Sequence, residues 1–146
     1  MAISIWEVSI VDGRLEFPGE LSDPGSGAVV DFWGRVRGIE DERELKGITY
    51  EVHRAMAEHQ MNLLAEKATV DFFLIGLVLR HRVGFVEVGE ASLFLRVASR
   101  HRAAAFAASE WLIEELKQKV PIWKRPVFKT LKTARNERQL EEASSR

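Results

Sequence analysis

The chain contains no cysteine in its 146 residues. Disulfides, thiolate nucleophiles and cysteine-ligated zinc are excluded together, so any chemistry must come from Lys, Arg, His, Ser or carboxylates. There is no run of about 18 apolar residues, so no membrane span is expected. The opening MAISIWEVSI lacks the basic-then-apolar layout of a signal peptide, and a cytoplasmic protein is the expectation. Neither charge is in marked excess: 21 Lys and Arg stand against 22 Asp and Glu, with a net charge of −1. That balance argues against a general nucleic-acid binder. No Walker loop, GxSxG or GxGxxG is present, and His53, His59 and His81 lack the HxH or HExxH spacing of a metal site. No metal and no cofactor are expected, and His81, within LRHRVG, reads as structural.

What is present suffices for one soluble domain with a real core, at 46% hydrophobic and 29% charged residues. ISIWEVSIV alternates as a strand, and Asp12-Gly13 suggests a tight turn into RLEF. Residues 18–27, PGELSDPGSG, form a loop by composition. AVVDFWG reads as a buried strand running into RVRG, and residues 38–47 as an exposed loop. ITYEVH is another strand. Ala57, Met61, Leu64 and Ala68 recur at helical spacing and predict a helix over about 54–69. FFLIGLVLRHRV and ASLFLRVAS are apolar strands on either side of a glycine-bounded turn. A second helix over about 102–119 is expected to bury Phe106, Leu112, Ile113 and Leu116, and Pro121 should stop it. Strands mixed with two principal helices give an α+β domain over residues 1–128. Residues 129–146 form a tail, basic then acidic, either helical or disordered.

The near-zero net charge hides local clustering. Eight Lys and Arg fall between Lys117 and Arg138, against the single acid Glu137. Arg96, Arg100 and Arg102 with His101 form a second basic group. The segment ASRHRAAAF lies where a strand passes into a helix, so free backbone N–H groups would point out beside these cations. It reads either as an anion site or as a helix capped by Ser99 with solvated arginines. In GRVRG, Arg35 and Arg37 share a face by strand alternation. Their planar forks suit phosphate or carboxylate, although a strand-end charge pair has the same pattern. Lys117 follows Ile113 by four residues and so lies beside the helix's apolar stripe, partly buried, whereas Lys119 is rotated roughly 200° away. Lys124 follows the proline turn. A solvated basic face and half of an active site remain alternatives at this level.

GAVVDFWGRVRG, LRHRVGFVEVGE and SRHRAAAFAASEWLIEELKQKVPIWKR together resemble the large, catalytic subunits of molybdopterin synthase. The blocks occur in the same order over residues 24–126 or so. The third is the most specific: His-Arg opening a helix, then Leu-Lys, then Pro-x-Trp-Lys. The resemblance implies an α/β hammerhead-type fold with additional antiparallel strands. It also implies a homodimer within a heterotetramer; two long apolar strands in so small a domain favour the homodimer as well. The implied partner is a small ubiquitin-like sulfur carrier with a C-terminal Gly-Gly thiocarboxylate. The implied reaction is transfer of its sulfur to cyclic pyranopterin monophosphate, twice, to form the dithiolene of molybdopterin in molybdenum cofactor biosynthesis. By motif, Lys117 and Lys124 correspond to the family's catalytic lysines, and Arg37, His101 and Arg102 to its anion-binding and active-site residues. The chain departs from the family pattern at His53-Arg54-Ala55-Met56, at Arg100, and throughout the segment after Arg125. A non-catalytic anion-binding or protein-interaction module that kept the fold is the alternative. An RNA-binding domain would want exposed aromatics on a basic sheet face.

Overall fold

The computed structural model describes residues 5–144 and, within them, every side chain except those of 131–137. Ile3 and Ser4 of the expected first strand lie outside the described residues. The first sheet has the order β1-β5-β7-β2, formed by β1 (Trp6–Val11), β2 (Ala28–Arg35), β5 (Gly76–Arg82) and β7 (Ala91–Ser99). β1 runs parallel to β5, while β7 is antiparallel to both of its neighbours. One face of this sheet presents Leu77, Leu79, Leu93, Leu95 and Val97 to two helices, α1 (Arg54–Asp71) and α2 (Arg102–Lys119). Ala57, Met61, Leu64, Ala65 and Ala68 line the buried side of α1, which is the stripe legible in the sequence. The helix is started by His53, whose Nδ1 accepts the Met56 N–H at 3.2 Å.

The second sheet is built on β4 (Arg43–Val52). β3 (Ile39–Glu40) and β6 (Gly84–Glu87) pair along it on one side, and β8 (Ile122–Phe128) returns to pair with it on the other. Its own small core is Val36, Leu45, Ile48, Tyr50 and Val86. Ile122 packs against both cores and joins them. Gly47 is where β6 crosses closely over β4: a Cβ there would meet the Val86 carbonyl and lie 2.7 Å from the Phe85 ring. The last element is α3 (Leu131–Ser144).

Several expectations are corrected. Asp12-Gly13 does not open a hairpin, because β1 takes six register partners from β5 instead and RLEF forms no strand. Residues 38–47 are not a loop: β3 and β4 form a hairpin whose two-residue turn is Asp41-Glu42. Both turn residues lie in the left-handed region, with φ of 52° and 62°, as a tight right-twisted hairpin requires. The usual Asn-Gly signature is missing, which hid the turn. GFVEVGE is a strand, β6, followed by a turn at Gly89, where φ is 88°. Phe106 is not buried but 61% exposed. The stripe of α2 that meets the sheet is Ala105, Ala108, Ser109, Leu112 and Leu116, in which small residues let the helix sit close and turn Phe106 outward. Arg96 leaves the basic group assigned to it. It is buried on β7 and held by Asp31 through two hydrogen bonds of 2.7 and 2.8 Å.

A non-glycine residue in the left-handed region costs on the order of 1 kcal/mol. Glu42→Gly should therefore raise the midpoint of urea unfolding, by an amount equivalent to about 1 kcal/mol or somewhat less, without changing the slope of the transition.

Candidate active-site cleft

Helix α2 ends because the chain reverses at Val120-Pro121. The Val120 N–H still reaches the Leu116 carbonyl at 3.2 Å, and the Ile122 N–H then reaches the Val120 carbonyl at 2.9 Å. This is a three-residue turn centred on Pro121, whose fixed φ suits it. Ile122 enters β8, and the β4–β8 register places Lys124 opposite Tyr50. Between the last turn of α2, β8 and the ends of β2, β5 and β7 lies a cleft of about 520 Å³. Its wall includes Phe32 and Gly34 from β2, Leu93 from β7, and Ile113 and Leu116 from α2. A Cβ on Gly34 would come within 3.3 Å of the Leu93 Cβ, so glycine keeps this wall open.

Lys117 and Lys124 both line the cleft, brought together from either side of the proline turn. Lys117 is exposed rather than partly buried: it stands at the rim while Leu116 beside it enters the core. Neither lysine forms an ion pair among the described residues. By contrast, Lys119 Nζ lies 2.6 Å from Glu115 Oε2, and the neighbour of Lys124, Arg125, lies 2.8 Å from Glu51 Oε1. Strand alternation sends Trp123 and Arg125 to the face opposite Lys124.

Arg35 also lines the cleft. Arg37 lies two residues on, past buried Val36, and is exposed outside the cleft wall. His101 and Arg102 are at the other end of α2, about 24 Å from Lys117 at 1.5 Å per residue. His101 is the N-cap residue and makes no capping hydrogen bond. Ser99, expected as the cap, donates instead to the His101 carbonyl at 2.5 Å. His101 borders a separate hollow of about 610 Å³ beside Phe72–Ile75. Gly27 N–H bonds to Ser99 carbonyl at the start of β2, whereas Val36 N–H bonds to Glu90 carbonyl past its end. Eight strand residues, about 26 Å, thus separate the His101 end from the Arg37 end. Within one subunit the three residues do not converge.

The cleft also contains Tyr50 and Ser92, which motif reading passed over, and His81, which it read as structural. Alternation in β5, where Leu77 and Leu79 face the core, was the available signal that His81 points inward. Burial raises the Tyr50 pKa, against a smaller opposing effect of its hydrogen bond to Ser92. Burial pushes His81 down to about 4; its bond to the Arg82 carbonyl opposes this and the charge of Lys124 adds to it. No group of three or more His, Asp and Glu among the described residues is placed to hold a metal ion. The His81 shift has a consequence for stability. Between pH 6.5 and about 4 the unfolded chain binds a proton at His81 that the folded chain excludes. Stability should therefore fall as pH drops through that window, by up to about 3 kcal/mol from this residue, and be unaffected by it above. Urea titrations from pH 7.5 to 4 should show a steeper loss for the wild type than for His81→Gln.

Comparison with known proteins bears on the family and the fold. The family described as "MoaE protein" matches residues 14–119. The molybdopterin synthase catalytic subunit of Pyrococcus abyssi is 35% identical over 107 residues, covering 73% of this chain and 72% of that one. Among solved structures, molybdopterin synthase from Staphylococcus aureus superposes with a TM-score of 0.74 at 26% identity, covering 82% of this chain and 90% of that one. A complex of subunits 1 and 2 of the molybdopterin-converting factor from Helicobacter pylori shares the fold, with a TM-score of 0.68 at 24% identity over 86% of this chain and 92% of that chain. The chain belongs to the MoaE family.

Proposed function

We propose that this protein is the catalytic subunit of a molybdopterin synthase, transferring sulfur from a thiocarboxylated small subunit to cyclic pyranopterin monophosphate in molybdenum cofactor biosynthesis. The observation that carries the reading is the meeting of Lys117 and Lys124 in one cleft, in a chain of this family. Both reactants are anionic where they react or bind. The sulfur donor ends in a thiocarboxylate, and the acceptor carries a phosphate. Each transfer exchanges sulfur for oxygen on the donor's acyl carbon, so that tail is anionic before and after. Fixed cations in a partly enclosed cleft stabilise the charge that builds up between those states. In this reading Lys117, at the rim, meets the incoming acyl terminus. Lys124, carried on β8 past the proline turn, acts on the pterin as acid–base group or electrostatic stabiliser. The non-catalytic alternative is not favoured, since both lysines and the cleft are present.

The reading includes a small ubiquitin-like partner, as the two-subunit Helicobacter pylori complex has a second subunit, and a homodimer within a heterotetramer. Arg37 lies at one end of β2 and His101 and Arg102 beyond the other, so a shared anion site formed from all three has to draw on two copies. The reading places the protein in the cytoplasm; no helix among the described residues is long and apolar enough to cross a membrane.

With thiocarboxylated small subunit and cyclic pyranopterin monophosphate, wild-type protein should form dithiolene product. Lys117→Ala and Lys124→Ala should each lower the rate by about a hundredfold or more. Lys119→Ala should stay within about twofold, as for an ordinary surface change; equal damage from Lys119→Ala would count against the assignment. Light scattering should give twice the 16.6 kDa chain mass. Dimers reassembled from a mixture of Lys117→Ala and Arg102→Ala chains should regain activity that neither variant has alone. No recovery would place both residues' contributions within one subunit and overturn the shared site.

A further inference from the structure

The two edges of the first sheet differ. At one edge, β1 is met by α1 and its start: Arg54 Nη1 donates to the Ile10 carbonyl at 3.1 Å, and Trp6 Nε1 donates to Asn62 Oδ1 at 3.2 Å. At the other edge stands β2, with no strand beyond it among the described residues. Gly27 and Val36, just outside its ends, bond inward to the Ser99 and Glu90 carbonyls on the β7 side. Edge strands are usually blunted by lysine, proline, short length or a covering element. β2 is eight residues long, AVVDFWGR, with neither lysine nor proline, and its register irregularity with β7 is confined to Gly34 and Arg35. Its one acid, Asp31, is turned to Arg96 by two hydrogen bonds, and Val29 is 44% exposed. Such an edge is a template for another strand.

The positions of the cations pick out the occupant as a second copy of this chain. A two-fold axis normal to the sheet reverses the strand, so β2 pairs with its copy antiparallel and each end meets the opposite end of the partner. Gly27, just before β2, lies so close to the strand–helix junction that a Cβ there would meet the Arg100 carbonyl. His101 and Arg102 follow at once. Arg35 closes β2 at the other end, with Arg37 two residues on. Within one subunit the strand's length of about 26 Å keeps the two groups apart. Across the pairing they become neighbours, once on each side of the axis. Residues directly opposite share a sheet face, so an axis at Asp31 sets Val29 against the partner's Trp33 and Val30 against the partner's Phe32. Aromatic and β-branched pairs are favourable across a ladder. The two Asp31 carboxylates meet at the axis, each already held by its own Arg96.

We propose that the free edge of β2 is the dimer interface, with two β2 strands pairing antiparallel about a two-fold axis at Asp31 and joining two four-stranded sheets into one. His101 and Arg102 of each copy then face the Arg35–Arg37 end of the other. Arg35 lines the cleft of Lys117 and Lys124, so each cleft is completed by cations from the second chain. The inference rests on the homodimer of the proposed function. It adds the surface, the strand direction and the register, none of which that reading requires.

Because the chain has no cysteine, a nitroxide can be attached at one site, Val29→Cys. In the paired dimer the two labelled positions lie four residues apart along adjacent strands, a separation of about 14 Å. Low-temperature EPR should show dipolar broadening that disappears when labelled chains are mixed with excess unlabelled chains. In a second arm, Val29→Asp sets a charge on the edge. Its mass by light scattering should fall from twice 16.6 kDa to a single chain, with an unchanged far-UV circular dichroism spectrum. A wild-type monomer overturns the homodimer of the proposed function, and this surface with it. A wild-type dimer without broadening at residue 29, or a Val29→Asp protein that is still dimeric, overturns the β2 surface alone. If Val29→Asp fails to fold, the label decides.

Discussion

The pairing of β8 with β4 is the constraint on which the site depends. Lys117 is carried by a helix that packs on the first sheet through Leu112 and Leu116. Lys124 is carried by a strand of the second sheet. Nothing in either element alone relates the two. They are related because Pro121 turns the chain within three residues and because seven positions of β8 then find register partners on β4. Ile122 seals the arrangement by packing into both cores. Ile122 is partly buried, so its packing contributes less than the about 1.5–3 kcal/mol of a fully buried side chain. The joint between the sheets is held by this packing together with the hydrogen-bond ladder.

Charge is distributed with the same economy. Acids are paired with the cations that have no part in the cleft: Glu115 with Lys119, Glu51 with Arg125, Asp31 with Arg96, and Glu90 with Arg82. The Arg82 guanidinium in turn holds the Glu90 carboxyl below its ordinary range. The cleft has no such acid. A protein with nearly balanced total charge thus gathers three cations around a cleft that no carboxylate lines. The buried imidazole of His81 belongs to the same logic, since burial and the neighbouring ammonium both keep it uncharged.

Much of this was legible in the chain. The stripe Ala57, Met61, Leu64 and Ala68 marked α1, and Pro121 marked the end of α2, because helical spacing and proline geometry are local properties. The phase difference between Lys117 and Lys119 was also local, and Lys119 does turn to Glu115 rather than into the cleft. The Asp41-Glu42 hairpin was not legible, since its turn uses residues that carry no left-handed signature. Phe106 misled because hydrophobicity alone cannot say which side of a helix lies against a sheet when alanines supply the close contact. His81 looked structural. Its alternation with Leu77 and Leu79 showed that it faces inward, but not that a cleft opens above it.

The sequence by itself determined the α+β class, the two main helices, the absence of thiol chemistry, and the residue types able to hold anions. These follow from composition and short-range periodicity, which act within a few residues. Only the tertiary structure decided which cations share a space. Arg35 joins the two lysines in the cleft while Arg37, two residues away, lies outside its wall. His101 and Arg102 stand at the far end of the helix that carries Lys117. The physical reason is that a side chain's direction follows from its own backbone, whereas its neighbours are set by strand register and helix docking between segments tens of residues apart.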